Sequence, residues 1–160
     1  MMTTMLLGTA RMFISAFLGT LGFALLLHAP RRAWLPASVI GAMAYALYWV
    51  LEQAGLGMPA SIFIGALAGS MLAQGCARKM RMIATIFITL SIVAMVPGLG
   101  LYRCIALLAQ GENAAGVRTG VQAMTTIVMI ALGLGVGSFL FRAVMGMRHS
   151  VRRPADQEGR

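Results

Sequence analysis

Long apolar runs separated by short polar or glycine-rich breaks fill this chain, and they leave little that could form a water-facing surface. Hydrophobic residues make up 59% of the 160 residues and charged residues only 11%, with a mean hydropathy of +0.84. A helix needs about 20 apolar residues to cross the ~30 Å hydrocarbon core of a bilayer, so several spans must lie in a membrane. The expected fold is all-α, a polytopic membrane helix bundle of about five transmembrane helices with one broken or half helix after Pro97. Residues 1–141 form the transmembrane domain in this reading, and 142–160 a basic cytoplasmic tail.

The break sits in Ser91–Arg103, where an apolar run meets Pro97-Gly98 and resumes past Gly100. Pro97 removes a backbone donor and clashes with the preceding turn, while Gly98 and Gly100 permit backbone angles that other residues avoid. Hydrocarbon tolerates such an interruption only where the freed backbone meets protein or a wet cavity, and transporters build sites this way. The competing reading is a helix that ends at the interface. Pro97, Gly98, Gly100, Tyr102 and Arg103 are therefore substrate-binding candidates; Arg103 either grips a carboxylate or snorkels to headgroups.

The spans are expected at Met5–Leu27, Trp34–Leu51, Pro59–Cys76, Met82–Val96 and Val117–Phe141, with Leu101–Gln110 too short to cross alone. In the first, the strongest positive charge follows the apolar core, which argues for an uncleaved helix. Trp34, Tyr45, Tyr48 and Trp49 suit an aromatic belt. Glu52 closes the second span, either as an interfacial carboxylate or as a proton relay. In the third, Ser61, Gly65, Gly69 and Ala73 recur every fourth position and make a smooth stripe for close helix packing, within the chain or with a partner. In the last, Gln122 and Thr125, with Thr126 beside them, either line a polar path or bond back to helix carbonyls. Gly133 and Gly137 read as helix-packing residues, because no strand precedes them as a nucleotide fingerprint requires.

The formal charge of +9 does not indicate nucleic acid, since the basic residues punctuate apolar runs and read as topology signals. With five crossings, Arg31-Arg32, Arg78–Arg81 and the tail fall on one side and hold ten of the thirteen Lys and Arg. That side is expected to be cytoplasmic. Cys76 and Cys104 lack CxxC spacing, and no cofactor or metal site is expected. Glu52, Glu112, His28 and His149 do not cluster as catalysis requires, so no enzyme is expected.

Gly22-Phe-Ala followed by Pro30-Arg-Arg32, the basic Ala77-Arg-Lys-Met-Arg81 and above all Val96-Pro-Gly-Leu-Gly-Leu-Tyr102 give the chain a family resemblance. From about Phe13 to Phe141 it resembles the threonine/serine exporter family, specifically the separate small subunit that corresponds to the carboxy-terminal membrane half of full-length exporters. Pro97, Gly98 and Tyr102 match the family motif; Ala94 stands where relatives often have a second proline, and Arg103 has no family counterpart. The resemblance implies a subunit of a secondary exporter in the bacterial inner membrane, moving small hydroxy amino acids or a small dicarboxylate out of the cytoplasm. It also implies a larger membrane subunit as partner, with 160 residues supplying only part of a substrate cavity. A non-transporting assembly subunit that holds such a partner through the Ser61–Ala73 stripe is the alternative, and a homo-oligomer stays open.

Overall fold

In the computed structural model the described residues are 2–150, with side chains described over 8–144. Six helices follow one another: α1 (Met2–Leu26), α2 (Arg31–Gln53), α3 (Met58–Met80), α4 (Ala84–Val93), α5 (Gly98–Ala109) and α6 (Asn113–Ser150). Gly8–Leu26 of α1, all of α2 and α3, and Asn113–Val144 of α6 are each long and apolar enough to cross a membrane. The pair α4 and α5 passes the same test only together, bent by 50° at the break. Residues 151–160 of the expected basic tail lie outside the described residues.

The four tight turns are built alike. Each helix ends on a residue with positive φ, and the two amides at the turn reach back to carbonyls in the last turn, the arrangement that closes helix ends. Gly55 (φ 88°) and Gly111 (φ 82°) take this position after α2 and α5, where glycine carries no Cβ penalty. His28 (φ 51°) and Arg81 (φ 53°) take it after α1 and α3. At His28, for example, the Ala29 amide donates to the Ala24 carbonyl at 3.0 Å.

α3 is the central helix, packed against α2, α4 and α6, while α1 packs on α2 and α4. Small residues make this closeness possible. A Cβ on Gly65 would meet the Ala44 carbonyl oxygen at 3.0 Å, and one on Gly69 would meet the Ala44 Cβ at 3.0 Å, so the Ser61–Ala73 stripe packs inside the chain against α2. Gly133 and Gly137 bring α6 onto the opposite side of α3, where Cβ atoms would stand 2.6 Å from the Phe63 carbonyl oxygen and 2.9 Å from that of Leu67. Dispersion between closely approaching backbones and interhelical hydrogen bonds hold such contacts in lipid, where no hydrophobic drive operates between helices. Ser70, Gln74 and Ser138 add a buried polar cluster between α3 and α6: the Gln74 amide nitrogen lies 3.2 Å from the Ser70 hydroxyl and 3.1 Å from that of Ser138.

One face of α6 is buried along its length at Gly116, Ala123, Thr126, Ile130, Gly133 and Gly137. The spacing of seven, three, four, three and four is the 3.5-residue period of a continuous helix seam. Its second half packs on α3. Its first half packs on α5, with Leu108 against Gly116, Cys104 against Gly120 and Gly100 against Ala123, an antiparallel hairpin turned at Gly111.

α3 and α6 run parallel, since Gly133 lies by Phe63 and Gly137 by Ser70. In that register Thr126 is level with the first residues of α3, so residues 113–125 extend about 20 Å beyond the α2–α3 turn at ~1.5 Å per residue. α5 follows them outward, and none of its residues is buried. At the opposite end of the bundle, Arg31, Arg32, Arg78, Lys79 and Arg81 gather around a cluster of Ala24, Ala33, Ala77 and Phe87 with Met80 and Met82 packed against it. The chain thus has one basic end and one end carrying the hairpin.

Candidate functional site

The break between α4 and α5 is a single tight turn. Pro97 has φ −79° and ψ 54°, and the Gly98 amide donates to the Val96 carbonyl at 2.8 Å, an inverse γ-turn centred on the proline. Two helical bonds are lost by this. Pro97 has no N–H for the Val93 carbonyl, and the Gly98 amide that would serve Ala94 has turned to Val96 instead. α5 then restarts with the Leu101 amide on the Pro97 carbonyl at 3.0 Å.

A cavity of about 180 Å³ opens on the inner side of this turn. Ala94, Met95, Val96 and Pro97 form one wall, Tyr45 and Tyr48 of α2 a second, Met58 and Ile62 of α3 a third, and Thr126 of α6 closes it. The cavity lies level with the first turn of α3, in the part of the bundle remote from the basic end. Gly65 determines how its walls meet, because a Cβ there would strike Met95 Cε at 2.9 Å and Tyr48 Cβ at 3.1 Å.

The polar groups of the cavity are phenols, a hydroxyl and backbone. Tyr45 and Tyr48 pack edge to face with ring centroids 5.5 Å apart. Glu52, the only carboxylate of α2, sits one helical turn beyond Tyr48 and so lies next to this wall of the cavity. Thr126 is buried and donates its hydroxyl to the Gln122 carbonyl at 3.0 Å, leaving oxygen lone pairs as acceptors. No lysine, arginine or histidine is among the lining residues.

Of the candidates read from the sequence, Pro97 lines the cavity directly, and Gly98 shapes it through the γ-turn. Gly100 instead faces Ala123 in the α5–α6 hairpin. Tyr102 is 69% exposed on α5, and Arg103 and Gln122 are exposed too. Thr125 bonds the Val121 carbonyl at 2.9 Å and does not reach the cavity; its neighbour Thr126 does. Glu52 stands behind Tyr48. Tyr45 and Tyr48, expected in an interfacial belt, are wall residues, and the signal that could have marked them is their i, i+3 spacing facing Gly65. Among the described residues, no three His, Cys, Asp or Glu side chains come close enough together to hold a metal ion.

A bundle of several membrane-spanning helices, one of them broken beside a small cavity walled by phenols and a hydroxyl, defines a multi-pass membrane protein built like a carrier of small solutes. The family model described as Threonine/Serine exporter, ThrE, matches residues 12–140. The chain belongs to the threonine/serine exporter family, and that membership supports exporter-type transport as its function. No curated protein matches the chain, and no solved structure does.

Proposed function

We propose that the protein is a subunit of a secondary exporter that moves small hydroxy amino acids such as threonine or serine out of the cytoplasm, with the cavity at Pro97 on the solute's route. The observation that carries this reading is the placement of Val96 and Pro97 of the motif on the wall of a cavity shared by α2, α3, the α4–α5 turn and α6. Its volume of about 180 Å³ lies below the ~300–1,000 Å³ of sites for drug-sized ligands and favours a solute of a few heavy atoms. The polar inventory favours a zwitterion over a dicarboxylate. A dianion needs cationic partners for strong charge-assisted bonds, and none lines this cavity. The aromatic faces of Tyr45 and Tyr48, with Glu52 behind them, suit an ammonium group instead.

The ten basic residues of the Arg31-Arg32 turn, the Arg78–Arg81 turn and the tail support an orientation with that end, and the carboxy terminus, on the cytoplasmic side of a bacterial inner membrane. The cavity then opens towards the outer side. Glu52 is the candidate coupling carboxylate, its proton moving between the outer face and Tyr48.

A second reading, assembly with a larger membrane subunit, is favoured by α5, which buries none of its residues and presents Leu99, Tyr102 and Ile105 at 64%, 69% and 68% exposure. Since the Ser61–Ala73 stripe is already packed on α2, a partner would meet the hairpin rather than that stripe. Counterflow of labelled L-threonine, L-serine and succinate into vesicles, with the chain alone and with a co-reconstituted larger subunit, tests both readings. Uptake of the hydroxy amino acids in preference to succinate is expected. No counterflow of any solute in either preparation would overturn the export reading, and a rate independent of the chain would leave only the assembly role.

A further inference from the structure

At the basic end of α4, a second hollow of about 250 Å³ lies between the α1–α2 turn and α4, bounded by Leu27–Pro30 on one side and by Thr85, Ile86, Thr89 and Leu90 on the other. Three of its features bear on what it could hold. Thr85 and Thr89, one helical turn apart and both exposed, have no hydrogen-bond partner among the described residues, whereas Thr119 and Thr125, equally helical, donate to carbonyls four residues back. Both residues line the same hollow. His28, like Arg81 after α3, holds a left-handed backbone position that glycine fills after α2 and α5, where a side chain is conformationally costly. Its Nδ1–H donates to the Leu26 carbonyl at 3.1 Å, which leaves Nε2 as the ring atom available to another partner.

From this geometry we infer that the hollow is a second binding site for the transported solute, one that grips a small hydroxy acid or amino acid by its carboxylate. The Thr85 and Thr89 hydroxyls donate to the two carboxylate oxygens, and Nε2 of His28 accepts from the solute's hydroxyl or ammonium. Arg31 and Arg32, which follow Pro30 directly, place positive charge at this end of the bundle and favour an anionic group there. The inference rests on the export reading for the identity of the solute but not for the existence of the site. It gives α4 a function at each end, because its first turns wall this hollow and the residues following it wall the Pro97 cavity. Phe87 and Leu90, buried at 0% and 1% exposure, lie between the two.

The test uses the full chain with Cys76→Ala and Cys104→Ala, and Ile86→Cys as the reporter inside the hollow. The rate of maleimide labelling is measured in detergent with L-threonine, L-serine or succinate at millimolar concentration, and separately with phosphatidylglycerol. L-threonine or L-serine is expected to slow labelling about tenfold, and Thr85→Val with Thr89→Val should abolish that protection through the loss of two hydrogen bonds. His28→Gly suits its backbone angle, so it should fold at least as stably while weakening protection several-fold. Unchanged labelling with both L-threonine and L-serine, protection by succinate or phosphatidylglycerol alone, or protection that survives both the valine pair and His28→Gly would each overturn the inference. Protection without vesicle export would uphold the site and remove the export reading, whereas export without protection would do the reverse.

Discussion

Gly133 of α6 and Phe63 of α3 stand so close that a Cβ on the glycine would lie 2.6 Å from the Phe63 carbonyl oxygen. Backbone cannot swing aside as the end of a side chain can, so α6 must move away if anything larger is placed there. Gly133→Ala is therefore expected to destabilise the bundle by about 1–3 kcal/mol, the usual cost of overpacking. Gly135, two residues away on the same helix, has open space where a Cβ would go, and Gly135→Ala should be neutral or stabilise by up to about 1 kcal/mol. Thermal unfolding in detergent, followed by circular dichroism, separates the two variants; equal behaviour would mean that α3 and α6 do not pack in this register.

The α5–α6 hairpin makes a sharper geometric prediction. A Cβ on Gly100 would lie 3.6 Å from that of Ala123, within the separation that a disulfide spans. In a chain carrying Cys104→Ala and Cys76→Ala, Gly100→Cys with Ala123→Cys should cross-link on mild oxidation within one molecule, as read by mass spectrometry. A control pair that places the second cysteine at Gln122, exposed and off the seam, should not. If the hairpin folds back elsewhere in the bilayer, neither pair will join.

Thr126 and Thr125 are adjacent in sequence and differ in what they face. Only Thr126 lines the cavity, so Thr126→Val should weaken the apparent affinity for solute in counterflow about 3- to 10-fold, the effect of one lost acceptor. Thr125→Val should leave it within a factor of two or so, because Thr125 is not among the cavity's lining residues. The reverse order would move the solute path to another face of α6.

Glu52 does not line the cavity but lies one helical turn from Tyr48, which does. If its carboxylate carries the coupling proton, Glu52→Gln keeps a hydrogen-bonding group for the phenol but removes the titrating site. Accumulation driven by a proton gradient should then fall about tenfold or more, while solute exchange, which needs no net proton movement, should continue. Loss of both activities would point to a structural role, and retention of both would exclude Glu52 from coupling.

Much of this fold was legible in the chain. The four long spans follow from hydropathy, and the interruption at Pro97 follows from one missing amide and the glycine beside it. The small-residue spacing from Ser61 to Ala73 reads as a smooth packing face but does not say which helix covers it. The cavity lining was less legible for a physical reason. In a helix such as α6, which is apolar all round, lipid-facing and protein-facing sides have similar hydropathy, and only the 3.5-residue recurrence of small buried residues separates them. Gly116, Ala123 and Thr126 lie on that recurrence, whereas Gln122 and Thr125 are polar neighbours just off it. Tyr45 and Tyr48 were obscured similarly, since an aromatic near a helix end satisfies an interfacial belt and a cavity wall equally well until its opposite partner is known.

Vesicle efflux by a chain carrying Pro97→Ala and Gly98→Ala tests most directly whether the turn at Pro97 serves transport. The substitution restores the amide that Val93 lacks and favours an unbroken helix from α4 into α5, which would close the cavity wall. With insertion and oligomeric state confirmed equal to the unaltered chain, efflux of L-threonine is expected to fall at least about tenfold. Efflux at the unaltered rate, from a chain in which the turn has become helix, would contradict the account.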